Sequence, residues 1–379
     1  MTKAAELAKI GEVATNGQIG GRRNIVINGA MQINQRGSVV FNHAATATAN
    51  LYGLDRFQFQ STGLDQLEGT IAQVADAPVG FTNSLKWTTT EPESAIAAAE
   101  TFDCCQKIEA QNLQQLAFGT SSAKKLTLRF YVKSSVAGTY GINVFKADST
   151  ARQLTSTYTI SSANTWEEKT INIPADTNSG GTIANDNGEG LRITWHLGTG
   201  SNFTSANTAL TWTNYADAGW AFGHAQNNVA LTDNATWQLT GVQLEVGSQA
   251  TPFESRSFGE ELALCHRYLY VQREDASTGD GLFGTGQCNN TTSLHLGFPH
   301  SVPMRLAHGS TFIFDTVTDY RVQSAGGLDV CSAMGGVNSS PNTSLVFATV
   351  SSGLVAGDGG NLIIAANSPV EIKIDSELP

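Results

Sequence analysis

Leu126, Leu128, Phe130 and Val132 alternate with Thr127, Arg129, Tyr131 and Lys133. A two-residue period of this kind predicts a strand with one buried and one solvated face. The same signal returns over Trp166 to Ile173, which ends at Pro174, over Leu191 to Trp195, and over Thr236 to Leu244. Ile25, Ile27, Met31 and Ile33 alternate around Asn28-Gly29, predicting a strand and a tight turn in which glycine takes positive φ. Clusters such as Asn178-Ser179-Gly180-Gly181 and Asn185 to Gly190 separate the strands. Strands at this spacing without intervening helices predict an antiparallel sandwich of jelly-roll type. Trp195 and Trp237 fall on buried faces and are expected in its core.

The pattern changes at Ser248 to Arg256. Ser257-Phe258-Gly259-Glu260 reads as a capping box opening a short helix from about Phe258 to His266. Strands are expected again at Tyr268 to Arg273, Leu294 to Phe298, Thr311 to Phe314, Leu345 to Phe347, Asn361 to Ile364 and Val370 to Ile374. These predict a smaller second sandwich. At the other end, Thr2 caps a short helix built on Ala4, Ala5, Leu7 and Ala8, and Gly11 ends it. The chain therefore reads as a mainly β protein in three parts: a helix and Gly-rich linker over 1–23, a jelly roll over 24–255, and a connector helix with a β-sandwich tip over 256–379.

Composition narrows the function. Charged residues make up 15% of the 379, hydrophobic residues 40%, and the net charge is -11. The acidic excess is spread over both halves with no basic patch, which argues against nucleic acid and anionic lipid as partners. Abundant neutral polar side chains suit a hydroxyl-rich partner such as a glycan. No aliphatic run is long enough to span a membrane, and Met1-Thr2-Lys3-Ala4-Ala5-Glu6 leads into no apolar leader segment. The five cysteines, Cys104, Cys105, Cys265, Cys288 and Cys331, form neither a disulfide framework nor a CxxC metal pattern. They are expected to be free thiols made in a reducing cytosol.

Catalytic and metal constellations are weak. Glu167-Glu168 alternate to opposite faces of a strand, and Asp186 and Glu189 lie in a turn, so neither pair reads as facing glycosidase carboxylates. No GxSxG is present. Cys265 and His266 point about 100° apart on a helix. His295, His300, His308 and Asp315 cluster only loosely, and Asp186 and Glu189 are oxygen-rich candidates for calcium that read better as an Asn-Gly turn. No catalytic residue, metal or cofactor is expected. Trp212, Tyr215 and Trp220, with Asn214 and His224 nearby, are the candidate glycan-binding residues. Aromatic rings stack on the C–H faces of sugars while amide and imidazole groups bond the hydroxyls. The loops Gly279 to Asn290 and Ser332 to Ser344 compete for that role.

Two segments carry a resemblance. One is Asn24-Ile25-Val26-Ile27-Asn28-Gly29-Ala30-Met31-Gln32-Ile33-Asn34-Gln35-Arg36-Gly37 with Tyr52-Gly53-Leu54-Asp55-Arg56-Phe57. The other, the more specific, runs from Leu239-Thr240-Gly241-Val242-Gln243-Leu244-Glu245-Val246 through Thr251-Pro252-Phe253-Glu254 into Gly259 to Tyr268. Together they resemble tail-fibre and related virion proteins of tailed bacteriophages, in which a jelly roll similar to a carbohydrate-binding module precedes a C-terminal β tip. The resemblance implies a non-catalytic homotrimer, attached through its N-terminal segment to other virion proteins and binding host surface polysaccharide. It places the protein on the virion, most simply as a tail fibre made in the host cytoplasm. A structural virion role, as capsid decoration or connector, and a carbohydrate-active enzyme module are the alternatives. Within these motifs Asp55-Arg56 reads as an internal ion pair, and Leu244-Glu245-Val246 as the strand closing the first sandwich.

Overall fold

The computed structural model describes residues 22–42, 48–205, 208–225, 229–274, 281–306, 308–364 and 369–379. The expected N-terminal helix and most of its linker lie outside the described residues, as does the start of the 279–290 loop. The chain divides into two compact units between Glu261 and Leu262.

The strands of the first unit are β1 (Val39–Asn42), β2 (Thr48–Tyr52), β3 (Phe57–Thr62), β4 (Glu68–Val74), β5 (Ser84–Glu91), β6 (Thr101–Glu109) and β7 (Leu126–Ser134). They continue with β8 (Gly138–Lys146), β9 (Arg152–Ile160), β10 (Glu167–Ile173), β11 (Glu189–Thr199), β12 (Thr213–Asn214) and β13 (Thr236–Val246). Two antiparallel sheets result, one of six strands in the order β1-β4-β5-β13-β7-β10 and one of seven in the order β12-β9-β8-β11-β6-β3-β2. The protein is mainly β, as the alternation predicted. Leu126, Leu128, Phe130 and Val132 of β7 face Leu191, Ile193, Trp195 and Leu197 of β11 across one core. Trp195 and Trp237 are fully buried there.

One expectation fails. Residues 24–34 form no regular strand, although they lie beside β13. Asn28 and Met31 take left-handed φ of 59° and 55°, which breaks the extended backbone a strand requires. Ile25 N donates to Leu244 O, Gly29 O accepts from Val242 N, and the Asn24 side chain bonds Val242 O, Val26 N and Leu244 N. Asparagine side chains thus replace the ladder. Gly29 is not the left-handed residue of the turn; a Cβ there would meet Val242 O at 2.1 Å, so close backbone approach is what requires glycine. Asp55 accepts from Gln35 N and Gln35 Nε2, while Arg56 donates to Lys107 O, so both buried charges serve backbone segments distant in sequence.

The chain enters and leaves this unit at one place. Arg23 N and Asn24 N both donate to Glu254 Oε2, at 2.6 and 2.5 Å. Asn28 N donates to Glu261 Oε1, which also pairs with Arg256. Helix α1 (Phe258–His266) follows, capped by Ser257 Oγ accepting from Glu260 N at 3.3 Å.

The second unit has a seven-stranded and a three-stranded antiparallel sheet. Its strands are β14 (Leu269–Glu274), β15 (Leu282–Cys288), β16 (Ser293–Pro299), β17 (Thr311–Phe314) and β18 (Tyr320–Ser324). They continue with β19 (Gly327–Val330), β20 (Ala333–Ser340), β21 (Thr343–Thr349), β22 (Gly359–Ile364) and β23 (Val370–Asp375). Val370, Ile372 and Ile374 of β23 share a core with Leu294, Leu296, Val346 and Leu362 of the larger sheet. Among the described residues no helix is long and apolar enough to cross a membrane.

Glu371 on β23 bonds Lys373 Nζ at 2.6 Å and pairs with Arg273. Burial raises its carboxyl pKa, but the hydrogen bonds from Lys373 and Arg273 outweigh it and hold the group below its ordinary 4.5. A carboxyl whose pKa is lower folded than unfolded adds stability above the unfolded value and loses it as pH falls through the folded one. The second unit is therefore expected to weaken as pH drops below about 4.5. Glu371→Gln should lower its urea midpoint at neutral pH and flatten the acid slope. An acid slope identical in the variant would assign it to other carboxyls.

Candidate functional site

The outer face of the seven-stranded sheet of the first unit holds three of the sequence-predicted residues, Tyr215, Trp220 and His224. On β8, Tyr140, Ile142 and Val144 enter the core, so Gly141, Asn143 and Phe145 point outward. On β11 the outward set is Arg192, Thr194 and His196. The segment 213–224 folds over this face, and side chains from the sheet hold its backbone. Trp220 O accepts from Asn143 Nδ2 at 2.9 Å and lies 3.0 Å from His196 Nε2. Ala216 O accepts from Gln153 Nε2, and Tyr215 N donates to Ala151 O. His196 is fully buried, with Nδ1 2.6 Å from Asp103 Oδ1. The outer face of the sheet is thus a polar layer that fixes a turn.

The turn delivers two of the five predicted residues to one place. Tyr215 and Trp220 meet Phe145 edge to face, with centroids 5.5 Å from Phe145 in each case and 5.8 Å from one another. The Arg192 guanidinium lies 5.5 Å from the centroid of Phe145 and is held by both oxygens of Glu189, at 2.9 and 2.8 Å. Tyr215, 43% exposed, donates its hydroxyl to Asp217. Burial, the hydrogen bond to Asp217 and its charge push the phenol up to about 12, so it remains a neutral donor at neutral pH. Three rings, a fixed ion pair and a phenol–carboxylate pair offer apolar faces beside donors and acceptors.

The other three residues have structural partners. Trp212 Nε1 donates to Pro174 O, and its ring packs edge-on against Phe118 and the core. Asn214 Oδ1 accepts from Arg152 Nη1 at 2.9 Å. His224 is 5% exposed, and its Nδ1 accepts from Gly141 N at 3.0 Å. Phe145 and Arg192 were not singled out from sequence. The signal was present: Phe145 is an aromatic residue in the solvent-facing register of a strand whose other face is Tyr140, Ile142 and Val144.

The weaker constellations are dispersed. Glu167 accepts from Ser161 N, Ser162 N and Lys169 Nζ, while Glu168 binds Arg129 and Tyr131. Asp186 accepts from Gly188 N, forming the turn, and Glu189 is engaged with Arg192. His266 Nδ1 lies 2.7 Å from Ser301 Oγ, and Cys265 is buried. His300 bonds Pro341 O and Ser344 Oγ, and Asp315 accepts from Glu371 N. Among the described residues no group of three or more His, Cys, Asp or Glu is placed to hold a metal. All five cysteines are free and buried, as expected.

No protein-family profile matches the sequence, and no curated protein is found to be related to it. Solved structures with a similar arrangement include the enzymatically active domain of tailspike protein 4 from bacteriophage CBA120, at 11% identity and a TM-score of 0.28 over 59% of this chain. This chain spans only 21% of that domain's length. The family 11 carbohydrate-binding module of Clostridium thermocellum Lic26A-Cel5E matches at 13% identity and a TM-score of 0.29, over 55% of this chain and 100% of the module. The CBM22-1 xylan-binding domain of Paenibacillus barcinonensis Xyn10C matches at 8% identity and a TM-score of 0.29, over 61% of this chain and 100% of the domain. At that identity and TM-score they assign no residue and no ligand to this chain.

Proposed function

We propose that this chain is a non-catalytic virion protein of a tailed bacteriophage, a tail fibre or related appendage that binds host surface polysaccharide through its first unit. The observation that carries the binding reading is the Phe145, Tyr215 and Trp220 triad beside the Arg192–Glu189 pair. Aromatic edges and faces match the C–H surface of a pyranose, and fixed charged groups bond its hydroxyls. The turn that presents the rings is held by Asn143, Gln153 and His196, so little ordering entropy is lost on binding. The virion assignment is supported by the two sequence segments that resemble tail-fibre proteins. As in that group, three linked copies would raise a weak single-site affinity by avidity.

Purified protein should bind cells of a permissive host, and polysaccharide extracted from them, without releasing sugar. Tyr215→Ala is expected to weaken polysaccharide binding by about five-fold, since an aromatic contact contributes on the order of 1 kcal/mol. Its exposure makes this substitution a mild one for folding. Sugar release would overturn the non-catalytic reading. Failure to bind any permissive host or its polysaccharide would favour a structural role on the particle, such as capsid decoration or connector.

A further inference from the structure

The six-stranded sheet of the first unit carries a separate groove on its own outer face. On β7, Arg129, Tyr131 and Lys133 point away from the core that receives Leu128, Phe130 and Val132. Glu168 on β10 lies directly opposite Tyr131. A turn ending in Phe81 and the exit segment bearing Thr251 and Phe253 form the walls. Together with Val79, Arg129 and Tyr131 they line an open groove of about 530 Å³.

Its floor is aromatic. The Phe81 ring lies 4.9 Å from Phe253 and 5.5 Å from Tyr131, centroid to centroid. The bulge in β13 makes room for it: Gly241 has φ +62°, and a Cβ there would stand 2.7 Å from Phe81 and 2.8 Å from Tyr131. Beside the rings is a fixed polar array, in which Arg129 and Tyr131 line the groove and Glu168 is bonded to both. Arg129 Nη2 donates to Tyr131 Oη and Glu168 Oε2, both at 2.8 Å, and Arg129 Nη1 donates to Thr251 O at 3.1 Å. Tyr131 donates to the same Glu168 oxygen at 2.6 Å. The Glu168 side chain remains 43% exposed and has a second oxygen. Val79, at the rim, is fully exposed.

The strand charges beside the groove are already paired: Arg129 with Glu168, and the neighbouring Lys133 with Asp76. A charged ligand would have to compete with one of these pairs, while an uncharged ring with adjacent hydroxyls finds an acceptor, a donor and an apolar patch without breaking either. We propose that this groove is a second carbohydrate site, distinct from the Phe145–Tyr215–Trp220 surface, and that it takes an uncharged pyranose. The ring's C–H face lies on Phe81, with Phe253 edge-on beside it, and neighbouring hydroxyls bridge Glu168 and Arg129. The site stands on its own geometry and does not require the first surface to bind glycan.

The test is saturation-transfer NMR on the full chain. The probes are methyl β-D-glucopyranoside, methyl β-D-galactopyranoside and methyl α-D-mannopyranoside, with methyl β-D-glucuronide and a proline-rich peptide as comparators. At least one neutral glycoside should receive saturation, and Phe81→Ala and Glu168→Gln should each weaken it by about five- to ten-fold. Glu168→Gln is nearly isosteric and keeps the strand pairing, which guards against a folding artefact in Phe81→Ala. Tyr215→Ala should leave this signal unchanged even if it abolishes polysaccharide binding at the first surface, so the two readings fail separately. A glycoside signal unaffected by both groove variants would overturn the proposal. So would no glycoside signal at all, or binding of the glucuronide or the peptide alone.

Discussion

Asp176→Ala is expected to destabilise the first unit by about 3–5 kcal/mol, the usual loss when one partner of a buried ion pair is removed. Arg152 and Asp176 are 6% and 2% exposed, and the contact is bidentate, with Nε to Oδ2 at 2.6 Å and Nη2 to Oδ1 at 3.0 Å. The guanidinium also donates to Asn214 Oδ1 and Trp212 O. Without the carboxylate, a cation is left in the interior with only neutral acceptors. The greater part of the loss comes from that uncompensated charge rather than from the net strength of the pair. The double variant Arg152→Met with Asp176→Leu should therefore recover most of what Asp176→Ala loses. Urea midpoints of the single and double variants decide this. A loss below about 1 kcal/mol for Asp176→Ala would mean that the pair behaves as a solvated one.

Trp87→Ala should be comparably severe, at about 3–5 kcal/mol. Trp87 is fully buried at the centre of an aromatic cluster, 4.6 Å from Phe102, 5.4 Å from Phe59 and 5.5 Å from Phe41 between centroids. Its Nε1 donates to Thr89 Oγ1, which in turn donates to Val229 O. The facing backbone has already given way to the indole: a Cβ on Gly69 would lie 2.3 Å from the ring. Truncation leaves a void between strands of both sheets that the surrounding rings cannot close without leaving their rotamers. Trp87→Phe, which keeps most of the volume, should lose substantially less. A Trp87→Ala urea midpoint close to wild type would show that the sheets can collapse around the void.

How much of this was legible follows from which faces meet water. β7, with Leu126 to Val132 buried and Arg129, Tyr131 and Lys133 outward, announces itself by alternation, and so does β23. Helix α1 was readable from Ser257 and Glu260. β6 was not, because every residue from Thr101 to Glu109 is buried. Its outer positions, Asp103, Cys105 and Lys107, face a polar layer inside the unit instead of solvent, and the period disappears. The segment after Asn24 misled for the opposite reason: it alternates like a strand, but left-handed residues and asparagine side chains hold it. The candidate site shows the same limit. Tyr215 and Trp220 were visible as neighbours, whereas Phe145 and Arg192 join them only through the pairing of β8 with β11, where Arg192 stands opposite Phe145. His224 and Asn214 looked like ligand-binding groups because their partners, Gly141 and Arg152, lie far away in sequence.

The shared carboxylate of Glu254 has a mechanical consequence. Arg23 and Asn24 on one side and Glu254 on the other are joined by hydrogen bonds, so a pull along the chain enters and leaves the first unit at adjacent points. The strands between them are not in series with the load, and the sandwich hangs from the line of tension as a pendant. Force first peels the clasp, and the strand ladders are loaded only once it has opened. If the unit then unravels, the roughly 230 residues between these points release on the order of 800 Å of chain. The chain would yield that much slack before any covalent bond in it was loaded to breaking.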